Sequence, residues 1–213
     1  MRKIDYIPNT NLKLMQDSHL FKMTSDSIHL CEFIKIRKHD KVLDIGCNNG
    51  VITMYANLKT DNLCIGIDIN SDAISLAKEN SVLNNLNHIE FYVCPLQEFN
   101  GDNFDLICCN PPYHKDSNHP DTANFDRTLK LDELAKYSYP LLKDKGRCSV
   151  VIKAERISEA ITIFNSYRFG LKRIRFIHHS IKHKASSVCL EFIKNGVEQT
   201  LIEAPTINLK ESL

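Results

Sequence analysis

The sequence lacks several features that would assign it to a special class of protein. Its 213 residues contain no apolar run near the ~18–20 residues that cross a bilayer. The first residues lack the apolar core of a secretion signal. No internal repeat or low-complexity segment is present. We therefore expect a cytoplasmic protein without a membrane segment.

Neither charge nor cysteine spacing points to a partner. The 27 Lys and Arg residues almost balance the 26 Asp and Glu residues, and a net charge of +1 neither requires nor excludes nucleic acid. The eight cysteines form no Cys-x-x-Cys pair and lie mostly in apolar runs, as buried cysteines of a reducing compartment do. His178, His179 and His183 are close in sequence, but no Cys, Asp or Glu nearby completes a ligand set. The sequence predicts neither a disulfide framework nor a metal site.

From Lys41 onward, short apolar runs alternate with helical patterns. The predicted strands are 42–45, 63–68, 89–93, 104–109, 147–152, 171–177 and 187–194, and the predicted helices are 26–37, 51–58, 71–84, 131–142 and 157–167. This alternation predicts an α/β fold with a doubly wound, mostly parallel sheet of seven strands. No helix separates the last two strands, so the last strand is expected to be antiparallel. We expect a single domain over residues 1–213, with an irregular N-terminal segment at 1–24 and a tail at 196–213.

The first two strands are each followed by a pattern typical of cofactor binding. Asp44, Gly46 and Gly50 lie in the turn after the first strand, where open α/β sheets bind ligands. Asp68 ends the second strand about 20 residues later, which fits hydrogen bonding to a ribose diol. The glycine spacing is not that of nicotinamide enzymes, so it favours S-adenosylmethionine. An ordinary turn and a helix cap are the structural alternatives.

A motif after the fourth strand indicates the chemistry. It consists of Asn110, Pro111, Pro112 and Tyr113. The prolines fix the backbone, and the Asn110 amide oxygen and the Pro111 carbonyl provide two acceptors for a planar amino group. Tyr113 offers a face for base stacking, which is worth about 1–3 kcal/mol. A plain turn is the alternative, but at this edge of the sheet the motif predicts methyl transfer to an amino nitrogen.

In this order, the three motifs resemble those of class I methyltransferases that modify amino nitrogens through an Asn-Pro-Pro-Tyr motif. Further segments resemble bacterial tRNA adenine-N6 methyltransferases that act beside the anticodon, and these segments are 17–27, 141–146, 155–156, 173–179 and 184–187. The match runs from about residue 10 to residue 195. It implies methylation of N6 of adenosine 37 in a valine tRNA.

The resemblance also implies the residues of the site. The catalytic residues are those of the Asn-Pro-Pro-Tyr motif, and the cofactor-binding residues are Thr24, Asp44, Gly46, Cys47, Gly50, Asp68, Ile69, Leu96 and Asn110. Pro95 departs from the pattern, because related sequences often have an Asp there that contacts the cofactor adenine. The backbone at Leu96 or Gln97 is expected to replace that contact. No general base is assigned, since the sulfonium is already activated and the enzyme needs only to align the reacting atoms.

Positive charge is concentrated late in the chain. The residues expected to contact tRNA phosphates are Lys172, Arg173, Arg175, Lys182 and Lys184. A solvated face of two strands is the alternative interpretation. The long polar stretch from His114 to Arg127 is expected to cover the adenine pocket and to become ordered on RNA binding. We expect a monomer.

Other acceptors share this chemistry. Methylation of glutamine in protein factors is expected to require an additional N-terminal helical domain, and methylation of DNA adenine a target-recognition domain, neither of which is evident in the sequence. Guanine-N2 methylation of ribosomal RNA uses a related motif. The non-enzyme alternative is an inactive RNA-binding relative of the methyltransferases. The intact Asp44, Gly46, Gly50, Asp68 and Asn110 argue against it.

Overall fold

The structure is a computed structural model that describes residues 1–111, 129–197 and 199–207. Its strands are β1 (Arg2–Tyr6), β2 (Lys13–Asp17), β3 (Val42–Ile45), β4 (Cys64–Asp68), β5 (Ile89–Val93), β6 (Phe104–Cys109), β7 (Leu142–Lys153), β8 (Phe169–His178), β9 (Ala185–Lys194), β10 (Leu201–Ile202) and β11 (Thr206–Ile207). Its helices are α1 (Ser25–Phe33), α2 (Val51–Asn57), α3 (Ser71–Leu83), α4 (Leu131–Leu141) and α5 (Ile157–Ser166). Pro112, Tyr113 and the stretch from His114 to Arg127 lie outside the described residues.

A nine-stranded sheet forms the centre of the described structure. Its strand order is β10-β8-β9-β7-β6-β3-β4-β5, and β11 also pairs with β8. The strands from β3 to β7 run parallel to their neighbours, whereas β9 runs antiparallel to both β7 and β8. The seven predicted strands correspond to β3–β9, so the predicted mostly parallel sheet with an antiparallel last strand is confirmed.

The two ends of the chain are more regular than predicted. β1 and β2 form an antiparallel hairpin, and Asn80 of α3 accepts a hydrogen bond from the backbone N–H of Met15 and donates one to its carbonyl. β10 and β11 add to the edge of the sheet by pairing with β8. The prediction of an irregular N-terminal segment and tail was therefore wrong for these strands. Most of their side chains are exposed or half-buried, so the sequence shows little of the apolar alternation that predicts a strand. Main-chain pairing defines these strands instead.

Helices cover both faces of the sheet, so its central strands are buried on both sides. In β3 every residue is buried, and in β6 Leu106 and Cys108 pack on one face while Ile107 and Cys109 pack on the other. This alternation follows from the two-residue period of a strand. All eight cysteines are free. All but Cys94 are buried, as the apolar runs around them predicted.

The parallel strands place the three motifs at one edge of the sheet. The carboxyl ends of β3, β4, β6 and β7 meet there, because these strands are mutually parallel. β8 ends at the same edge, since β9 opposes both β7 and β8. Among the residues that the structure describes, no helix has the length and apolar character needed to cross a membrane.

Candidate active site

The turn between β3 and α2 needs its two glycines for different reasons. Gly46 has φ +69° and Gly50 has φ +88°, in the left-handed region that favours glycine. A Cβ at Gly50 would lie 3.1 Å from the Phe91 ring, whereas a Cβ at Gly46 would meet no atom within 4 Å. Packing therefore requires Gly50. Gly46 borders open space at the strand end, where ligands of this fold bind.

Asp68 links the two cofactor motifs. One carboxylate oxygen accepts a hydrogen bond from the backbone N–H of Asn48 and the other from that of Asn70, both at 2.9 Å. Each oxygen can accept a second bond, and the residue is only half-buried, so capacity for a ribose diol remains. The helix-cap alternative does not hold for Asp68, because the Asn70 side chain caps α3.

Asn48, which was not among the predicted site residues, joins the N-terminal segment to the glycine turn. Its side-chain amide donates to the carbonyl of Phe21 at 2.9 Å, while its backbone, at φ +48°, donates to Asp68. Asn is one of the few residues that adopt this left-handed conformation readily. An Asn between the two glycines of the turn was the available signal.

The remaining predicted cofactor residues differ in accessibility. Ile69 is 46% exposed just beyond β4, which suits contact with a flat ring. The Leu96 side chain is buried, but Leu96 begins a 3-10 turn, so its backbone N–H has no carbonyl partner within that turn. Cys47 is buried, its N–H donates to Ile67 and its carbonyl accepts from Gly50. The structure thus fits the predicted contacts of Ile69 and Leu96 but gives Cys47 a structural role.

Asp44 is buried completely, and only one of its two carboxylate oxygens is engaged by the fold. One carboxylate oxygen accepts hydrogen bonds from the backbone N–H and the hydroxyl of Thr53, at 3.0 and 2.7 Å. The other is buried with no partner among the described residues. Burial, reinforced by the nearby charge of Asp68, raises the pKa of Asp44 to about 7. The assignment of Asp44 to the cofactor site stays a prediction, for which this second oxygen is the available acceptor.

We predict that Asp44→Asn changes how stability depends on pH. The folded carboxyl has a pKa of about 7 against an ordinary 3.8, so between these values the folded protein keeps a proton that the unfolded chain has lost. The stability contributed by this proton is complete below about pH 4 and falls by up to ~1.4 kcal/mol per pH unit as the pH rises to 7. In denaturant titrations, the stability of the variant relative to the wild type should increase from about pH 4 to about pH 7. A difference that stays constant over this range would contradict the prediction.

Asn110 directly follows β6, and its side-chain amide is held in one orientation. The amide N–H₂ donates to the hydroxyl oxygen of Ser27 at 2.9 Å. The amide oxygen is buried and has no partner among the described residues. An unsatisfied buried acceptor costs about 1–3 kcal/mol, which an incoming amino group would recover. Pro111 is buried beside it, while Pro112 and Tyr113 lie outside the described residues.

Helix α1 brings the N-terminal segment to Asn110. Thr24 caps the helix by accepting a hydrogen bond from the backbone N–H of Ser27 at 3.3 Å. The two hydroxyl oxygens also lie 3.3 Å apart, and the Thr24 side chain is exposed. The predicted cofactor residue Thr24 is therefore one helical turn from the residue that contacts Asn110.

The structure does not support two of the predicted RNA contacts, Arg173 and Arg175. Arg173 is 4% exposed and forms ion pairs with Glu191 and Glu203 at 2.7 Å. Arg175 also pairs with Glu203 at 2.7 Å, and both guanidinium groups lie over the ring of Phe33, 4.2 and 5.4 Å from its centre. Strand residues two apart share a face, and here that face packs against the end of α1. The charge of Arg173 is thus neutralised inside the protein, and that of half-buried Arg175 is paired with Glu203.

Three of the predicted RNA contacts remain accessible. Lys172 is half-buried on the opposite face of β8, and Lys182 and Lys184 are exposed in the connection between β8 and β9. That connection lies at the same edge as Asn110, two to three strand spacings or about 10–14 Å along the sheet from β6. Among the described residues, no group of three or more His, Cys, Asp or Glu is arranged to hold a metal ion.

We predict that Asp68→Ala lowers the affinity for S-adenosylmethionine by about 10-fold or more. The variant loses charge-assisted hydrogen bonds, each worth about 1.5–3 kcal/mol. Isothermal titration calorimetry measures the effect directly, and Asp72→Ala, which removes an exposed carboxylate from the first turn of α3, is the matched control. Equal affinity of the wild type and the Asp68 variant would remove Asp68 from the ribose role.

The sequence is similar to a protein family and to several known methyltransferases. The family model described as "Methyltransferase small domain" matches residues 22–176. A putative protein N5-glutamine methyltransferase from Methanocaldococcus jannaschii is 38% identical over 76% of this chain and 85% of its own length. A tRNA1(Val) (adenine(37)-N6)-methyltransferase from Parabacteroides distasonis is 30% identical over 74% of this chain and 70% of its own length. A protein of the same name from Phocaeicola vulgatus is 26% identical over 96% of this chain and 90% of its own length.

Solved structures share the fold at low sequence identity. The tRNA (uracil-54, C5)-methyltransferase of Pyrococcus abyssi, solved in complex with S-adenosyl-L-homocysteine, superposes with a TM-score of 0.65 at 17% identity. The similarity covers 90% of this chain and 44% of that chain. At this identity the likeness supports the fold alone.

Proposed function

Because the chain belongs to the methyltransferase small domain family, we propose that it methylates N6 of adenine in RNA, with adenosine 37 of a valine tRNA as the preferred target. It is an S-adenosylmethionine-dependent enzyme. The observation that most directly supports the proposed acceptor is the amide of Asn110. Its N–H₂ group is engaged by Ser27, and its buried oxygen is an acceptor without a partner among the described residues.

The residues at the carboxyl edge fit the cofactor. Gly46 leaves the space beside the strand end open, Asp68 has acceptor capacity for a ribose, and Ile69 offers exposed apolar surface next to it. When bound, S-adenosylmethionine supplies a methyl group that is already activated, so the protein need not form a nucleophile.

The protein's own contribution is to bind and orient the acceptor nitrogen. The amide oxygen of Asn110 and the carbonyl of Pro111 are suited to accept the two N–H bonds of the target amino group. With both hydrogens held, the nitrogen lone pair is directed away from the base plane, and holding reactants in such a geometry is a large part of catalysis. The proton left after transfer can pass to water, so no basic side chain is assigned.

Methylation of a glutamine side chain in a protein is a second candidate, favoured by the relative from Methanocaldococcus jannaschii. A glutamine amide and an adenine amino group are both planar N–H₂ groups, so Asn110 fits either. The match covers 85% of that relative, so a large additional domain does not distinguish the two activities, contrary to the expectation from sequence.

Two features support RNA over protein as the substrate. The similarity to the tRNA methyltransferase of Phocaeicola vulgatus spans 96% of the chain, which includes the connection between β8 and β9. That connection carries exposed Lys182 and Lys184 at the edge where Asn110 lies. We propose that the enzyme acts as a monomer in the cytoplasm and that these lysines contact phosphates next to the target nucleotide.

Replacing Lys182 and Lys184 together by Glu should weaken tRNA binding by at least about 10-fold and reduce the slope of log affinity against log salt by roughly one per lost phosphate contact. Filter binding or fluorescence anisotropy at several salt concentrations measures both quantities. Lys59→Glu is the control, because Lys59 is exposed just after α2, which runs from the active edge to the opposite one. If the lysine pair and Lys59 have equal effects, the β8–β9 connection is not an RNA contact.

A further inference from the structure

We propose that Ser27 is a positioning residue for methyl transfer, because its hydroxyl fixes which end of the Asn110 amide faces the acceptor. The inference rests on the proposed function, in which that amide accepts a hydrogen bond from the target amino group. Ser27 and Asn110 are 83 residues apart in the chain and meet at 2.9 Å. Ser27 acts through Asn110 and is not assigned a contact with substrate.

The amide of Asn110 has two ends of nearly the same shape and opposite hydrogen-bonding character. With its N–H₂ bound to Ser27, its oxygen is turned to a buried position that lacks a partner among the described residues. A rotation of the amide by half a turn would place N–H₂ where the oxygen now lies. Two donors would then face each other when an amino group arrives, and the acceptor would be lost.

The hydroxyl of Ser27 is itself held in place by the first turn of α1. The backbone N–H of Ser27 donates to the Thr24 hydroxyl, and the two hydroxyl oxygens lie 3.3 Å apart. When the Ser27 hydroxyl donates its proton to the Thr24 oxygen, the Ser27 oxygen is left to act only as an acceptor toward Asn110, which selects the N–H₂ end of the amide. The far end of the helix is fixed as well, because Arg173 donates to the carbonyl of Phe33 at 3.0 Å and Arg175 to that of Glu32 at 3.4 Å. A helix held at both ends keeps the Ser27 hydroxyl at a constant distance from β6.

The position of Ser27 separates this role from a purely structural one. Ser27 is half-buried and is not part of either apolar layer, so removal of its oxygen should leave the folding stability nearly unchanged. Rotation of the Asn110 amide, in contrast, affects only the step in which the amino group is held. The expected signature is a loss in kcat without a loss in Tm or in cofactor affinity.

The test compares Ser27→Ala with Ser27→Thr, which keeps a hydroxyl. At saturating tRNA and S-adenosylmethionine, Ser27→Ala should lower kcat by about 10-fold, the effect of one lost hydrogen bond in the transition state. Cofactor affinity measured by calorimetry and Tm should stay at wild-type values. Ser27→Thr should recover most of the activity. Equal losses in the two variants would overturn the role of the hydroxyl.

The same substitution in an Asn110→Asp background shows whether Ser27 acts through Asn110. Both oxygens of a carboxylate are acceptors, so its orientation no longer matters, and Ser27→Ala should then change kcat by less than about twofold. An undiminished 10-fold loss there would overturn the inference. Full activity of Ser27→Ala with an active wild type would overturn the positioning role alone. No transfer to RNA by the wild type would overturn the proposed function and this inference with it.

Discussion

Replacing Asn110 by Ala is expected to lower turnover by roughly 100- to 1,000-fold, the usual effect of removing one preorganised hydrogen-bonding group from a catalytic site. The substitution removes the buried amide oxygen, which has no partner among the described residues. The target amino group then loses an acceptor and its nitrogen is no longer held in line with the methyl group. Cofactor binding should persist, because Asp68, Gly46 and Ile69 belong to other turns of the same edge.

Single-turnover kinetics with labelled S-adenosylmethionine and calorimetry with the same cofactor measure the two quantities separately. Asn57→Ala is the matched control, since the Asn57 amide donates to the carbonyl of Asn87, away from the carboxyl edge. Wild-type turnover in the Asn110 variant would remove Asn110 from catalysis. A parallel loss of cofactor affinity would indicate that its main role is to bind the cofactor.

Arg173→Ala is expected to lower the free energy of unfolding by about 3–5 kcal/mol, because it leaves buried charges without their partner. Glu191, which is 4% exposed, loses its ion pair with Arg173, and Glu203 keeps its contacts with Arg175 and Lys35. For a domain of this size, about 2–4 °C of Tm is lost per kcal/mol, so a fall of roughly 10 °C is expected. Thermal and urea unfolding followed by circular dichroism measure it.

The neighbouring Lys172 supplies the control for Arg173. Lys172→Ala removes a positive charge from the opposite, half-exposed face of β8 and should change stability by less than about 1 kcal/mol. At a temperature where both variants are folded, Arg173→Ala should bind tRNA as the wild type does. An Arg173→Ala variant that is stable but binds tRNA more weakly than the wild type would instead support the phosphate contact of Arg173 predicted from sequence.

The sheet was predictable because its signal is local. Continuous apolar runs such as 42–45 and 104–109 are what strands buried on both faces require, and the helices between them imply parallel neighbours. β1 and β10 were not predicted, because their side chains are largely exposed and these strands are defined by main-chain pairing. Apolar periodicity carries no information about such strands.

The site was predictable only where its parts are consecutive in sequence. The glycine turn, Asp68 and Asn110 each follow a strand, and parallel topology brings their ends together. Ser27 and Asn110 are 83 residues apart in sequence, so no local sequence pattern could predict their contact. The cluster of positive residues in the sequence suggested that Arg173 and Arg175 contact RNA. A cluster of charges in the sequence does not show which face of a strand is covered by the rest of the protein. Acidic Glu191, opposite Arg173 on β9, was the available sign of an internal ion pair.

The most direct test of the central claim is transfer of a labelled methyl group from S-adenosylmethionine to unmodified tRNA, followed by digestion to nucleosides and chromatography. Protein and DNA acceptors are assayed in parallel with the same enzyme preparation. Methylation through Asn110 of an adenine in RNA predicts label in N6-methyladenosine, and loss of that label with Asn110→Ala. Label confined to glutamine of the protein acceptor, with none in RNA, would contradict the proposed substrate.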